Sequence, residues 1–126
     1  MITKSEMKKI LIVDDSTISR MTIRTQVLAN YPDCVVLEAA SGDEALAFDE
    51  SEAPDLITID INMPGMSSYD AAVQLHKKYP DAKMAVITAN VQKSVRTKIQ
   101  SLGIMFVAVI EKPITESSIQ KIFAAL

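Results

Sequence analysis

KILIVDD (Lys9–Asp15) settles the architecture: an apolar, β-branched run that stops at two adjacent acids. It predicts a strand over Lys9–Asp14 whose polar end is its carboxyl end. The theme repeats in CVVLEA (Cys34–Ala39), LITID (Leu56–Asp60), MAVIT (Met84–Thr88) and MFVAVI (Met105–Ile110). Near-continuous apolar runs of about four to six residues suit strands covered on both faces, as in a parallel sheet.

Between these runs, apolar residues recur at helical spacing. Ile18, Met21, Thr25 and Leu28 mark a first helix. Ser41 with Glu44 has the capping-box pattern that opens a second, and Ser67 with Asp70 a weaker form of it opening a third. Val91, Val95, Ile99 and Leu102 mark the fourth; Ile119, Ile122, Phe123 and Leu126 mark the fifth. Pro32, Pro54, Pro64, Pro80 and Pro113 all fall between these elements, where a missing N–H does least harm. Strand and helix in alternation predict an α/β fold: (βα)5, a doubly wound parallel five-stranded sheet with helices on both faces. Residues 1–126 are expected to form a single domain, with no linker, repeat or output domain visible.

Composition narrows the function. At 126 residues, 48% hydrophobic and 23% charged, the chain has the make-up of a soluble globular domain. A net charge of −3 lacks the basic face that direct nucleic-acid binding requires. Cys34 is the one cysteine, which rules out an internal disulfide and a cysteine-based metal cluster. His76 is the one histidine, and Gln74, Leu75, Lys77 and Lys78 around it offer no triad or zinc partner, so it is expected on a helix surface. The basic start, Met1–Lys9, precedes an apolar run too short for a signal peptide, and nothing approaches a membrane span. A cytoplasmic protein with no membrane insertion is expected.

The polar residues at the strand ends carry the chemistry. Ligands of open α/β sheets bind beyond the carboxyl ends of the strands, where the strand order reverses. There the first strand supplies Asp14 and Asp15, the third Asp60, the fourth Thr88, and Lys112 follows the fifth. Like charges gathered so closely raise one another's pKa values unless a cation compensates them. Mg²⁺ suits such a site, because it takes oxygen ligands from one or two carboxylates and keeps waters for a phosphate. With that cation and Lys112 in place, Asp60 can act as a nucleophile and form an aspartyl phosphate. The Thr88 hydroxyl can donate to the bound group. Singly, each feature has an ordinary explanation. Asp-Asp-Ser can be a helix cap, Asn62-Met63-Pro64-Gly65 a plain turn, Thr88 a strand end and Lys112 a solvated cation. Their joint occurrence at successive strand ends is what counts.

The chain resembles the response-regulator receiver family, and within it the chemotaxis-type CheY-like proteins. The residues that carry the resemblance are the acid pair in ILIVDDS, Asp60 in TIDINMPGM, Thr88-Ala89 in VITAN and Lys112-Pro113 in IEKPI. The resemblance implies a flavodoxin-like strand order of 2-1-3-4-5. It implies that a sensor histidine kinase or phosphotransfer protein phosphorylates Asp60, with Lys112 pairing the phosphoryl oxygens. It also implies Mg²⁺ (with Mn²⁺ as a substitute) held by Asp15, Asp60 and the Asn62 main-chain carbonyl, with Asp14 acting through water. The Lys112–Pro113 bond is expected to be cis, and Asn62 and Asn90 occupy positions that tune phosphate lifetime. A monomer or weak dimer is expected, with Arg20, Arg24, Ile18 and Met21 near the phosphodonor's docking face.

Three departures stand out. The family's switch aromatic, three residues before the lysine, is Val109 here. The segment Gly103–Lys112 is about two residues longer than is usual in the family, so Phe106 becomes a candidate for that aromatic if the loop absorbs the extra length. Ser67-Ser68 replaces the usual Asp-Gly. Other readings remain: an excised receiver of a longer regulator, a phosphorelay shuttle, a phosphorylation-independent binding module, or an aspartate-nucleophile phosphatase. The phosphatase needs a second acid two residues after its nucleophile to protonate the leaving group, and Asn62 stands there. The chain is expected to signal rather than to be an enzyme.

Overall fold

The computed structural model describes residues 7–48, 53–62 and 67–126. Strands and helices alternate along it: β1 (Lys9–Val13), α1 (Thr17–Asn30), β2 (Val35–Ala39), α2 (Gly42–Leu46), β3 (Leu56–Ile59), α3 (Ser68–Lys78), β4 (Lys83–Thr88), α4 (Lys93–Ser101), β5 (Phe106–Glu111) and α5 (Glu116–Ala124). The strands form one parallel sheet in the order β2-β1-β3-β4-β5, as expected.

Strand alternation divides the core in two. Leu11, Ile57, Ile59, Met84 and Val86 face one side, where they pack with Ala45 of α2, Ala71, Ala72 and Leu75 of α3, and Ile99 of α4. Ile10, Ile12, Leu56, Ala85 and Ile87 face the other, against Ile23 and Val27 of α1 and Ile119 and Ile122 of α5. Both faces of β1, β3 and β4 are therefore dry, which is why their sequences read as unbroken apolar runs.

Several helix details differ from expectation. In α1 the buried stripe is Ile23 and Val27, whereas Ile18 and Met21 are 77% and 60% exposed. The helix carries apolar residues on two faces, so spacing alone admits both stripes. Ser41 accepts from the Glu44 amide and caps α2 as predicted, but the helix is only five residues long. Its end is held from outside, by Lys78 Nζ donating to the carbonyls of Leu46 and Phe48. Ser67 stands before α3 without a side-chain cap bond. His76 is half-buried on α3, and its Nδ1 has no hydrogen-bond partner among the described residues, so it is not a plain surface residue. The expected Asn62–Gly65 turn lies outside the described residues beyond Asn62.

The long approach to Lys112 has a structural cause. Met84 pairs with Phe106, yet Ala85 pairs with Ala108, so Val107 is an extra residue in β5. This β-bulge absorbs one residue of the additional length. Gly103, at φ 73°, turns the chain out of α4 in a conformation that side-chain-bearing residues rarely adopt. Because of the bulge, Phe106 and Val109 face the same side of the sheet. Phe106 sits opposite Met84 at the start of the strand, however, while Val109 pairs with Val86 nearer Thr88. Phe106 therefore does not occupy the strand position of Val109.

Cys34 lies buried between α1 and β2, and burial, with Asp55 adding to it, pushes its thiol up to about 11. Burial likewise raises Tyr31, with Cys34 contributing. A raised folded-state pKa contributes stability that is complete below the unfolded value and is lost as pH climbs through the folded one. The window for Cys34 runs from about 9 to about 11. Melting temperature should therefore fall across that range, and Cys34→Val should flatten part of the fall. Circular-dichroism melts at the two ends of the window check this; an unchanged slope in the variant would contradict it.

Candidate functional site

Strand register builds the site. Val13 pairs with Ile59, so Asp14 and Asp60, each one residue on, leave adjacent strands side by side. Asp60 N–H donates to the Val13 carbonyl and Asp14 N–H to the Ala39 carbonyl, fixing both main chains at the rim. On the far side Thr88 pairs with Glu111, and Lys112 N–H then donates to the Thr88 carbonyl. Sheet geometry alone thus brings four of the predicted residues to one edge.

The side chains converge. One oxygen from each of Asp14, Asp15 and Asp60 lies within 4.8 Å of the other two. Asp14 is 1% exposed and Asp60 5%, while Asp15 faces solvent. Lys112 Nζ reaches Asp14 Oδ2 and Asp60 Oδ2, both at 2.9 Å. Its approach to Asp60 has hydrogen-bond alignment. At Asp14 the contact is an ion pair of the same length. The other carboxylate oxygens are tied locally: Asp14 Oδ1 accepts from Ser16 N–H and Asp60 Oδ1 from Asn62 N–H, each at 2.9 Å. Thr88 is fully buried, and its Oγ1 accepts a long 3.4 Å bond from Asn90 N–H. The Lys112–Pro113 peptide is cis, as expected.

Electrostatically the rim is under-compensated. Burial pushes Asp14 above the usual carboxylate range; the Ser16 amide and Lys112 pull it down, and Asp60 adds to the rise. For Lys112, burial works against the charge, but hydrogen bonding and attraction to Asp14 and Asp60 prevail and raise it. Three carboxylates face one ammonium. A hard divalent cation fits this donor set, which is all-oxygen and short of one positive charge or more.

Sequence reasoning missed the clamp behind the acid pair. Arg20 does not stand on an open docking face. Its guanidinium donates to the Asp14 carbonyl at 2.6 Å, to Glu38 Oε1 at 3.2 Å and to Thr17 Oγ1 at 3.3 Å. Arg24 pairs with the other Glu38 oxygen at 3.1 Å. Glu38 interrupts an apolar run, which was the available signal.

Comparison with known proteins agrees with the geometry. A model of the response regulator receiver domain matches residues 10–124. The chemotaxis protein CheY of Thermotoga maritima is 38% identical over 88 residues, which is 69% of this chain and 72% of that one. A protein-glutamate methylesterase/protein-glutamine glutaminase of Methanospirillum hungatei is 31% identical over 85% of this chain. The match covers 31% of the methylesterase, so this chain spans about a third of it. Among solved structures, a CheY-like receiver domain protein of Methanospirillum hungatei superposes with a TM-score of 0.79 at 26% identity, covering 94% of this chain and 91% of that one. Vibrio cholerae CheY4 shares the fold with a TM-score of 0.80 at 24% identity, over 94% and 97% of the two chains. The chain belongs to the response regulator receiver domain family of two-component systems, with a CheY-like fold.

Proposed function

We propose that Asp60 accepts a phosphoryl group from a sensor histidine kinase or phosphotransfer protein, in a Mg²⁺-dependent reaction that switches partner binding. The observation that carries this is the shared Lys112 Nζ, 2.9 Å from the buried Asp14 and Asp60, with Asp15 completing the acidic cluster. Asp15, Asp60 and the Asn62 main-chain carbonyl would hold the cation directly, and Asp14 through water. When bound, the cation supplies charge neutralisation for the incoming phosphoryl oxygens.

An Asp60 oxygen attacks phosphorus in line, and the phosphorus–nitrogen bond of the donor phosphohistidine breaks. The electron pair leaves with the imidazole nitrogen, which is then protonated, and the product is an acyl phosphate. Lys112 moves from its carboxylate partners onto the new equatorial oxygens. Thr88 turns its hydroxyl towards them, away from its long bond with Asn90. Because Asn62 presents an amide and not a carboxylic acid, no side chain there protonates a leaving group. That chemistry supports a held phosphate and a signalling role.

The donor's approach has support on the surface. Exposed Ile18 lines a groove with Ser19, Thr22, Lys112, Pro113 and Ile114, and exposed Met21 lines a second one that shares Ile18 and Thr22. A phosphorylated partner reaching Asp60 would cover that apolar margin. The similarity to CheY favours chemotaxis, while the methylesterase relative keeps open a receiver belonging to a longer regulator.

Incubation with acetyl phosphate or phosphoramidate and Mg²⁺, followed by intact-mass analysis, tests the reading. Wild type should gain one phosphoryl group, and Asp60→Ala or chelator should abolish the gain. No gain on wild type, or equal labelling of Asp60→Ala, would overturn it.

A further inference from the structure

We infer that Arg20 is a positioning residue for the cation site, acting through the peptide that joins Asp14 to Asp15. The inference rests on the Mg²⁺-dependent reading of the rim. Asp14 is anchored on its main chain as well as at its carboxylate. Its N–H donates to Ala39, its Oδ1 accepts from Ser16 and its carbonyl accepts from Arg20 at 2.6 Å, while Oδ2 faces the cluster in an ion pair with Lys112. The Asp14 carbonyl belongs to the same peptide plane as the Asp15 N–H. Fixing that oxygen therefore fixes the direction in which the exposed Asp15 leaves the strand.

Arg20 is suited to this hold. Its planar fork spends Nε on Glu38, Nη2 on Thr17 and Nη1 on the carbonyl, and its side chain is 16% exposed. Glu38 is in turn held from its second oxygen by Arg24, so the fork is braced on β2 and not merely floating above the loop. A lysine would retain the charge but not the three-way geometry.

Positioning and through-space charge predict opposite signs. If Arg20 acted only as a nearby positive charge, its removal would tighten Mg²⁺ binding. If it orients the carboxylates, removal loosens binding, and groups that orient metal ligands in this way are generally worth about 10–100-fold in affinity. The test is a titration of Mg²⁺, with Mn²⁺ followed by electron paramagnetic resonance as a second measure, on wild type, Arg20→Gln, Arg20→Lys and Glu38→Gln. Both Arg20 variants should weaken cation binding about tenfold or more. Glu38→Gln should lie between them and wild type. Phosphorylation by phosphoramidate should recover in Arg20→Gln as Mg²⁺ is raised, because Asp60, Lys112 and Thr88 are untouched; a deficit persisting at saturating Mg²⁺ would count against a positioning role. Should Arg20→Gln fold poorly, Arg20→Lys, which can keep an ion pair with Glu38, decides the matter. Unchanged or tighter binding in a folded Arg20 variant overturns this inference alone. Absence of Mg²⁺ binding by wild type overturns the underlying reading, and this inference with it.

Discussion

Lys112→Met is expected to destabilise the metal-free protein by about 3–5 kcal/mol near neutral pH, the range for removing one partner of a buried ion pair. Asp14 and Asp60 are nearly inaccessible, and Lys112 is the cation both share at 2.9 Å. Without it, two carboxylates confront each other at the rim, and one must bind a proton or the fold must open. The loss should therefore shrink as pH falls into the carboxylate range. Lys112 has a raised pKa, so its own contribution is complete below about 10.5 and is lost as pH rises through its folded value. The variant should lack that alkaline component. Mg²⁺ should restore much of the lost stability by standing in as counter-charge, yet phosphorylation should stay impaired because no ammonium meets the phosphoryl oxygens. Adding Asp14→Asn should recover part of the loss, a non-additivity expected of residues in contact. Chemical denaturation across pH for the single and double variants checks this. A loss independent of pH, or strictly additive effects, would sink the ion-pair account.

What the sequence reveals and what it hides have separate causes. The strands buried on both faces, β1, β3 and β4, have little freedom in composition, so their runs and polar ends were visible, and parallel pairing then forces Asp14, Asp60, Thr88 and Lys112 together through register. Strand order itself came from family resemblance. Helix faces were less legible. In α1, Ile18 and Met21 match the helical period as well as Ile23 and Val27 do, and only the tertiary fold says which stripe is buried. The bulge at Val107 leaves no compositional trace, because an extra valine in an apolar run looks like more strand. The Arg20–Glu38–Arg24 clamp joins positions 14 to 18 residues apart, beyond the reach of any local spacing rule. Such contacts decide how the site is held, whereas register decides that it exists.

Asp14→Asn is expected to reverse its effect on stability when Mg²⁺ is added. Burial, the chief cause, holds the Asp14 carboxyl above its ordinary value. A group shifted this way supports the fold while protonated, fully below about 3.8, and that support disappears as pH rises through the folded value. At pH 7, above the ordinary carboxylate value, the raised Asp14 carboxyl is thus a burden on the metal-free fold. Asparagine removes the charge and can still accept from the Ser16 amide, while Lys112 retains Asp60. Without metal, the variant should melt a few degrees higher than wild type at pH 7, a shift of the order that about 1 kcal/mol produces in a domain of this size. Near pH 3 the advantage should vanish, because wild type then carries the proton. With Mg²⁺ at a hundred times its dissociation constant, wild type should gain about 2.7 kcal/mol. The variant, lacking one acid of the cluster, should gain much less, so the two melting temperatures change order. Thermal melts with chelator and with Mg²⁺ at both pH values decide the point. A metal-free variant that melts below wild type at pH 7 would show that the Lys112 contact outweighs the burial of Asp14. An equal Mg²⁺ gain in both proteins would remove Asp14 from the cation site.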